Sequence, residues 1–205
     1  MKVIILHGLY MHAIVMQPLS RKLRELGFDT QTITYNSIAI DQDSIFEKID
    51  GALSSDMTNL LVGHSLGGLV IKHYLASRRP STEIISHIVT IGTPIKGASI
   101  VERIKQLGFS SILGNAPQHG LNLHDDRWEF PQKLGCIAGT LPLGARTLLM
   151  MDNSIQSDGT VTVDETKIDG MTDHIQTPRS HTSLIYSAFV PKQIQHFSQH
   201  DMFLR

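Results

Sequence analysis

Six short runs of this chain are apolar or alternating, and segments of helical period separate them. "KVIIL" (2–6), "NLLVG" (59–63), "HIVTIGT" (87–93) and "LGCIAGT" (134–140) are almost wholly apolar. "TQTITYN" (30–36) alternates, and "DHIQT" (173–177) is a weaker strand. Between them lie 16–26, 43–53, 68–78 and a closing segment after His181, all with apolar residues at helical spacing. In the first of these, Leu19, Leu23 and Leu26 share one face and Arg21, Lys22, Arg24 and Glu25 the other, with Gly27 as a stop. A strand with no polar face must be covered on both sides. Strand–helix alternation with such strands predicts an α/β protein with a mostly parallel sheet between two helical layers. Right-handed crossovers then collect the strand-to-helix turns on one edge, where open α/β sheets hold their sites.

No linker, repeat or low-complexity tract divides the 205 residues, so one domain is expected. The interval 97–133 is too long for a simple crossover. It opens with a helical pattern (Ile100, Val101, Ile104, Leu107) and then loses regularity, as expected of an insertion or lid-like segment over a site. A formal net charge of -1 and the absence of basic runs argue against nucleic acid and against a polybasic membrane anchor. The apolar run after Met1 is too short for a secretory core and no stretch reaches membrane-spanning length, so a cytoplasmic location is expected. The lone cysteine, Cys136, lies in an apolar run and reads as a buried core residue.

The chemistry centres on "LLVGHSLGGLVIKHYLASR" (60–78), where a strand passes through Gly63-His64-Ser65-Leu66-Gly67 directly into a helix. A G-x-S-x-G match alone is weak, but the flanking strand and helix give it a mechanism. Ser65 at so tight a turn needs a strained backbone, and glycines two residues to either side clear the strand and helix from it. The helix N-terminus would also offer N–H groups and a positive dipole to an oxyanion.

A serine hydroxyl needs a base. Of eleven histidines, His181 lies in a loop after the last candidate strand and just before a helical run. His64 and His73 belong to the elbow and its helix, His64 adjacent to the serine, where geometry disfavours proton transfer from Oγ, and His87 starts an apolar strand and reads as structural. The base needs an orienting carboxylate. Asp158, in a Ser-Asp-Gly turn before "TVTV", gives the order nucleophile–acid–base. Asp152 and Asp164 are its rivals, Asp164 the weaker because it follows that short strand. A second oxyanion donor besides the N–H of Leu66 is expected from Leu9, in "HGLYMH" after the first strand. His7 there reads as structural, and Tyr10, Met11 and His12 are candidates to line an acyl pocket. "HGLNLHDD" (119–126) matches no metal-ligand spacing, and neither a metal nor a cofactor is expected. Trp128 and Phe130 serve either as part of a cover or as packing, and Leu69, Ile71, Tyr74 and Leu75 as core.

"HGLY", "GHSLGG", "GTPIKGA" (92–98), "SDGTV" (157–161) and "SHTSLIYS" (180–187), in that order, resemble the α/β-hydrolase superfamily, in particular its small lipase- and esterase-like members. The resemblance implies the three-layer α/β-hydrolase fold, a triad of Ser65, Asp158 and His181, and Leu9 and Leu66 as oxyanion donors. It implies hydrolysis of a carboxylic ester through an acyl-enzyme, on a small-molecule or lipid acyl ester. The chain's first strand matches the third of the family's eight, which leaves a reduced, mostly parallel six-stranded sheet in the order 2-1-3-4-5-6. Acyl transfer, thioester cleavage or lipid deacylation would use the same triad, and a non-catalytic binding module would need only the fold.

Overall fold

The computed structural model describes residues 1–122, 127–152 and 154–205. Its centre is a six-stranded sheet of β1 (Lys2–Leu6), β2 (Asp29–Ile33), β3 (Asn59–His64), β4 (Ile85–Ile91), β5 (Lys133–Gly139) and β6 (Asp173–Thr177). The order is β2-β1-β3-β4-β5-β6 and every neighbouring pair is parallel. This is the expected six-stranded order, and the sheet is parallel throughout, because successive strands are joined by crossovers rather than hairpins.

Side-chain alternation along the strands splits the core in two. Ile4, Leu6, Leu61, Ile88, Leu134 and Cys136 pack on one face, against α2 (Gln42–Ala52) and α3 (Leu66–Arg78). Val3, Ile5, Leu60, Val62, Val89, Ile91 and Ile137 pack on the other, against α1 (Gln17–Glu25) and α7 (Phe189–His200). Period-two alternation with both sets apolar requires helices on both sides. Leu19 and Leu23 of α1 are fully buried, each contributing about 1.5–3 kcal/mol of apolar burial. Burial pushes the Cys136 thiol up to about 12, as an inert core residue requires.

The segment 97–133 begins with α4 (Ser99–Gln106) and continues through the 3₁₀ turns Ser110–Leu113 and Ala116–His119. A four-residue α5 (Ala145–Leu148) follows β5. The closing helical segment is two helices, α6 (Ser183–Tyr186) and α7, broken at Ser187, whose backbone is extended. Pro191 accounts for the break. A helix running through it would press the proline ring on the carbonyl of Ser187, whereas in the first turn of a new helix its missing N–H costs nothing. Strand β2 stops at Ile33, before the expected end at 36, because Tyr35 leaves the sheet plane to stack on the His7 ring with centroids 4.2 Å apart.

Candidate active site

Ser65 links β3 to α3 with φ 53° and ψ −123°, a region that a residue with a side chain rarely adopts. Its N–H donates to Ile91 O at 2.9 Å, and its carbonyl accepts the Thr93 hydroxyl at 2.8 Å, so the end of β4 holds the turn from both sides. A Cβ on Gly67 would lie 2.5 Å from Leu6 O and 2.7 Å from His7 O, and one on Gly63 would enter the backbone of Gly67 and Gly68. Glycine at both positions thus lets helix and strand meet behind the serine.

His181 lies in the short loop between β6 and α6. Its Nδ1 is 2.7 Å from Asp158 Oδ2, and its main-chain N–H donates to Asp158 O at 2.8 Å. The other carboxylate oxygen of Asp158 accepts the N–H groups of Thr160 (2.9 Å) and Val161 (2.8 Å). These two donors orient a carboxylate whose side chain is only 1% exposed. A carboxylate cannot donate, so Nδ1 of His181 carries the proton and Nε2 holds a lone pair. Gly92 (φ +56°) passes beneath this pair. A Cβ there would lie 3.0 Å from Asp158 Oδ2 and 3.1 Å from His181 Nδ1. The Ser65 hydroxyl and His181 Nε2 have no protein partner among the described residues, and neither is among the buried unpaired atoms, so both reach the surface on this edge.

The oxyanion candidates flank the serine. Leu66 is the first residue of α3, so its N–H has no acceptor within the helix. Gly8 approaches Ser65 so closely that a Cβ on it would be 3.0 Å from Ser65 Cβ, which brings the backbone preceding Leu9 against the nucleophile. Among the described residues neither the Leu9 nor the Leu66 N–H has a protein acceptor. His7, buried behind this loop, donates from Nδ1 to Gly8 O (2.9 Å) and receives the Tyr35 N–H at Nε2 (3.4 Å). Burial holds its pKa below the usual imidazole value.

The other candidates lie elsewhere. Asp152 is exposed and bonded to Ser154, and Asp164 is exposed and paired with Lys167. His73 packs edge-on to His119, and His87 pairs with Asp201 at 2.9 Å. Of the three pocket candidates, Tyr10 is exposed, Met11 packs against the α1 side of the core, and His12 caps the 3₁₀ turn Ala13–Met16. Trp128 is buried, packs edge-on to Phe130 and donates to Gln132 O at 2.8 Å. His124, Asp125 and Asp126 of the metal-like cluster lie outside the described residues, and among the rest no group of three or more His, Cys, Asp or Glu could hold an ion. No helix among the described residues is long and apolar enough to cross a membrane. A groove of about 1240 Å³ runs between α3 and residues 117–122 and 127–132, lined by Leu69, His73, Ala76, Gly120 and Phe130; none of its described lining residues is a candidate site residue.

Sequence reasoning missed three residues that build this edge. Thr93 clamps the elbow; its motif was visible, but not its partner. Glu165 accepts the Ser99 (2.6 Å) and Thr162 (2.8 Å) N–H groups, tying α4 to the acid turn. Buried Arg146 donates its N–H to Gly159 O and a guanidinium N–H to Ser99 Oγ.

Similar structures have the same fold. The mature form of the Bacillus licheniformis lipase BlEst2 superposes with a TM-score of 0.66 at 16% identity, covering 96% of this chain and 90% of that one. A metagenomic carboxyl esterase gives 0.65 at 16%, covering 93% and 71%. The NocB thioesterase domain, solved as a covalent complex with a fluorophosphonate nocardicin G analog, gives 0.62 at 11%, covering 97% and 94%. At these identities the likeness shows the α/β-hydrolase fold. A search of the curated proteins finds no match. The family described as "PGAP1-like alpha/beta domain" matches residues 39–196, well over half of the chain, and to that family of the α/β-hydrolase superfamily the chain belongs.

Proposed function

We propose that this protein is a serine hydrolase that cleaves carboxylic esters through an acyl-enzyme on Ser65. The observation that carries this reading is the strained elbow of Ser65 on the same sheet edge as a buried Asp158–His181 pair whose free ring nitrogen opens toward solvent. His181 Nε2 takes the Ser65 proton as Oγ attacks the ester carbonyl. Asp158 keeps the imidazole in its Nδ1–H tautomer and stabilises the imidazolium that forms. The Leu9 and Leu66 N–H groups receive the tetrahedral oxyanion, whose charge the α3 N-terminus also favours. Collapse returns the proton to the leaving alcohol, and water then repeats the sequence to free the acid.

The rim of this edge supports an acyl substrate of apolar character. Tyr10, Ile14, Leu143, Leu148 and Met150 are all more than half exposed, and all lie in the segments that follow the C-terminal ends of β1 and β5. The test is a hydrolysis series on p-nitrophenyl esters of increasing acyl length, for wild type and Ser65→Ala. Turnover that rises with chain length and disappears in the variant is the expected result. Turnover that persists in Ser65→Ala would refute the assignment.

A further inference from the structure

His64, the residue before the nucleophile, is fully buried, and its ring centroid lies 4.8 Å from that of His181. Its Nε2 is 3.1 Å from the main-chain carbonyl of His181, an acceptor, so Nε2 carries the proton and donates. Nδ1 is then left as an unprotonated acceptor, and among the described residues it has no partner. The imidazole therefore makes one polar contact and leaves one buried nitrogen unsatisfied.

That balance is poor for stability. One net hydrogen bond contributes less than an unsatisfied buried polar group costs. An apolar side chain of similar volume would serve the fold as well or better. What the histidine supplies is a tie between two parts of the site. The other bonds anchoring His181, from its main-chain N–H and from Nδ1, both run to Asp158. They fix the base to the acid and leave its distance to the serine unset. The bond from His64 joins the base loop to the elbow, one covalent step from Ser65.

We infer that His64 is a positioning residue: its Nε2–H holds the His181 carbonyl and so sets how closely Nε2 of the base can approach Ser65 Oγ during catalysis. This rests on the hydrolase reading above and deepens it. Proton transfer depends steeply on such placement, and a shift of about 1 Å can cost about 100-fold.

The test compares His64→Leu and His64→Met, which fill the space without a donor, with His64→Gln, whose amide can donate from near the Nε2 position. Turnover of a short p-nitrophenyl ester is measured beside thermal melting. We expect Leu and Met to lower kcat about 10- to 100-fold with KM within about twofold. Melting should stay at or above that of wild type, and Gln should recover most of the lost kcat. The two apolar variants differ in shape, so poor folding of one leaves the other to decide. An active wild type with Leu or Met kcat within threefold of it overturns the positioning role alone. So does loss of activity that tracks loss of melting temperature in all three variants. A wild type with no turnover overturns the hydrolase reading, and this inference with it.

Discussion

Replacing Asp158 by Asn exchanges one oxygen for an NH₂ group, and the surrounding hydrogen bonds decide which one. Oδ1 accepts two main-chain N–H groups, from Thr160 and Val161, inside a site that is 1% exposed. Turning the amide so that its NH₂ meets those donors would leave two buried N–H groups unpaired, at about 1–3 kcal/mol each. The amide oxygen therefore stays at the Oδ1 position, and the NH₂ faces His181 Nδ1. It can only donate there, so Nδ1 becomes the acceptor and the imidazole proton moves to Nε2. In that tautomer His181 cannot take the Ser65 proton. The variant also lacks the charge that would stabilise an imidazolium. A loss of about 10⁴ in kcat follows, equivalent to about 5.4 kcal/mol at 1.36 kcal/mol per tenfold. Because the Thr160 and Val161 bonds survive, urea unfolding should differ little from wild type. The assay is p-nitrophenyl ester turnover of Asp158→Asn beside Asp152→Asn, whose carboxylate is exposed and away from His181. A folded Asp158→Asn enzyme within tenfold of wild type would refute the reasoning. Inactivity of Asp152→Asn instead would move the acid to that residue.

The remaining expectations concern the elbow and its neighbours. Gly67→Ala would press a methyl into the backbone oxygens of Leu6 and His7, at 2.5 and 2.7 Å, and should lower stability by about 1–3 kcal/mol or more in urea unfolding. Ser65→Gly relieves a positive φ that Ser65→Ala retains, so it should unfold at higher urea than Ser65→Ala, by roughly 1 kcal/mol after the entropic cost of glycine. An Ala variant as stable as Gly would argue against strain at that turn. His64, held down to about 3 chiefly by burial and then by the neighbouring His181, stays neutral in the fold while the unfolded chain titrates near 6.5. The unfolded state thus binds the extra proton between those values. Stability is at its full value above about 6.5 and falls, as the pH drops, by up to about 1.4 kcal/mol per unit until the folded value is reached. The urea midpoint should therefore fall below pH 6.5, and less so in His64→Leu. A slope unchanged by that substitution would contradict the neutral assignment.

The legible part of this fold is the part written in local pattern. The apolar runs of β1, β3, β4 and β5 admit no exposed face, and each is followed by residues of helical period, so the parallel sheet follows from nearest-neighbour chemistry. Its strand order came from the resemblance, since nothing local to a strand names its neighbours. Ser65 was legible because a strand, a glycine pair and a helix must all be adjacent for such a turn to form. What escaped depends on partners distant in sequence. The end of β2 is set by Tyr35 stacking on His7, 28 residues away, and Thr93 clamps Ser65 across the same interval, 28 residues. The His64 contact spans 117 residues, so nothing beside His64 in the chain signals its partner. Elements of three or four residues, such as α5 and the 3₁₀ turns, have no period to detect.

The central claim is that Ser65 is a nucleophile activated by its surroundings, and covalent labelling tests it without knowledge of the substrate. Wild-type protein treated with a fluorophosphonate should gain the mass of one phosphonyl group in intact-mass spectrometry, with loss of fluoride. The Ser65→Ala variant should gain none, and Asp158→Asn should label far more slowly. A folded wild type that gains no mass, or a Ser65→Ala variant that labels equally, would contradict the account.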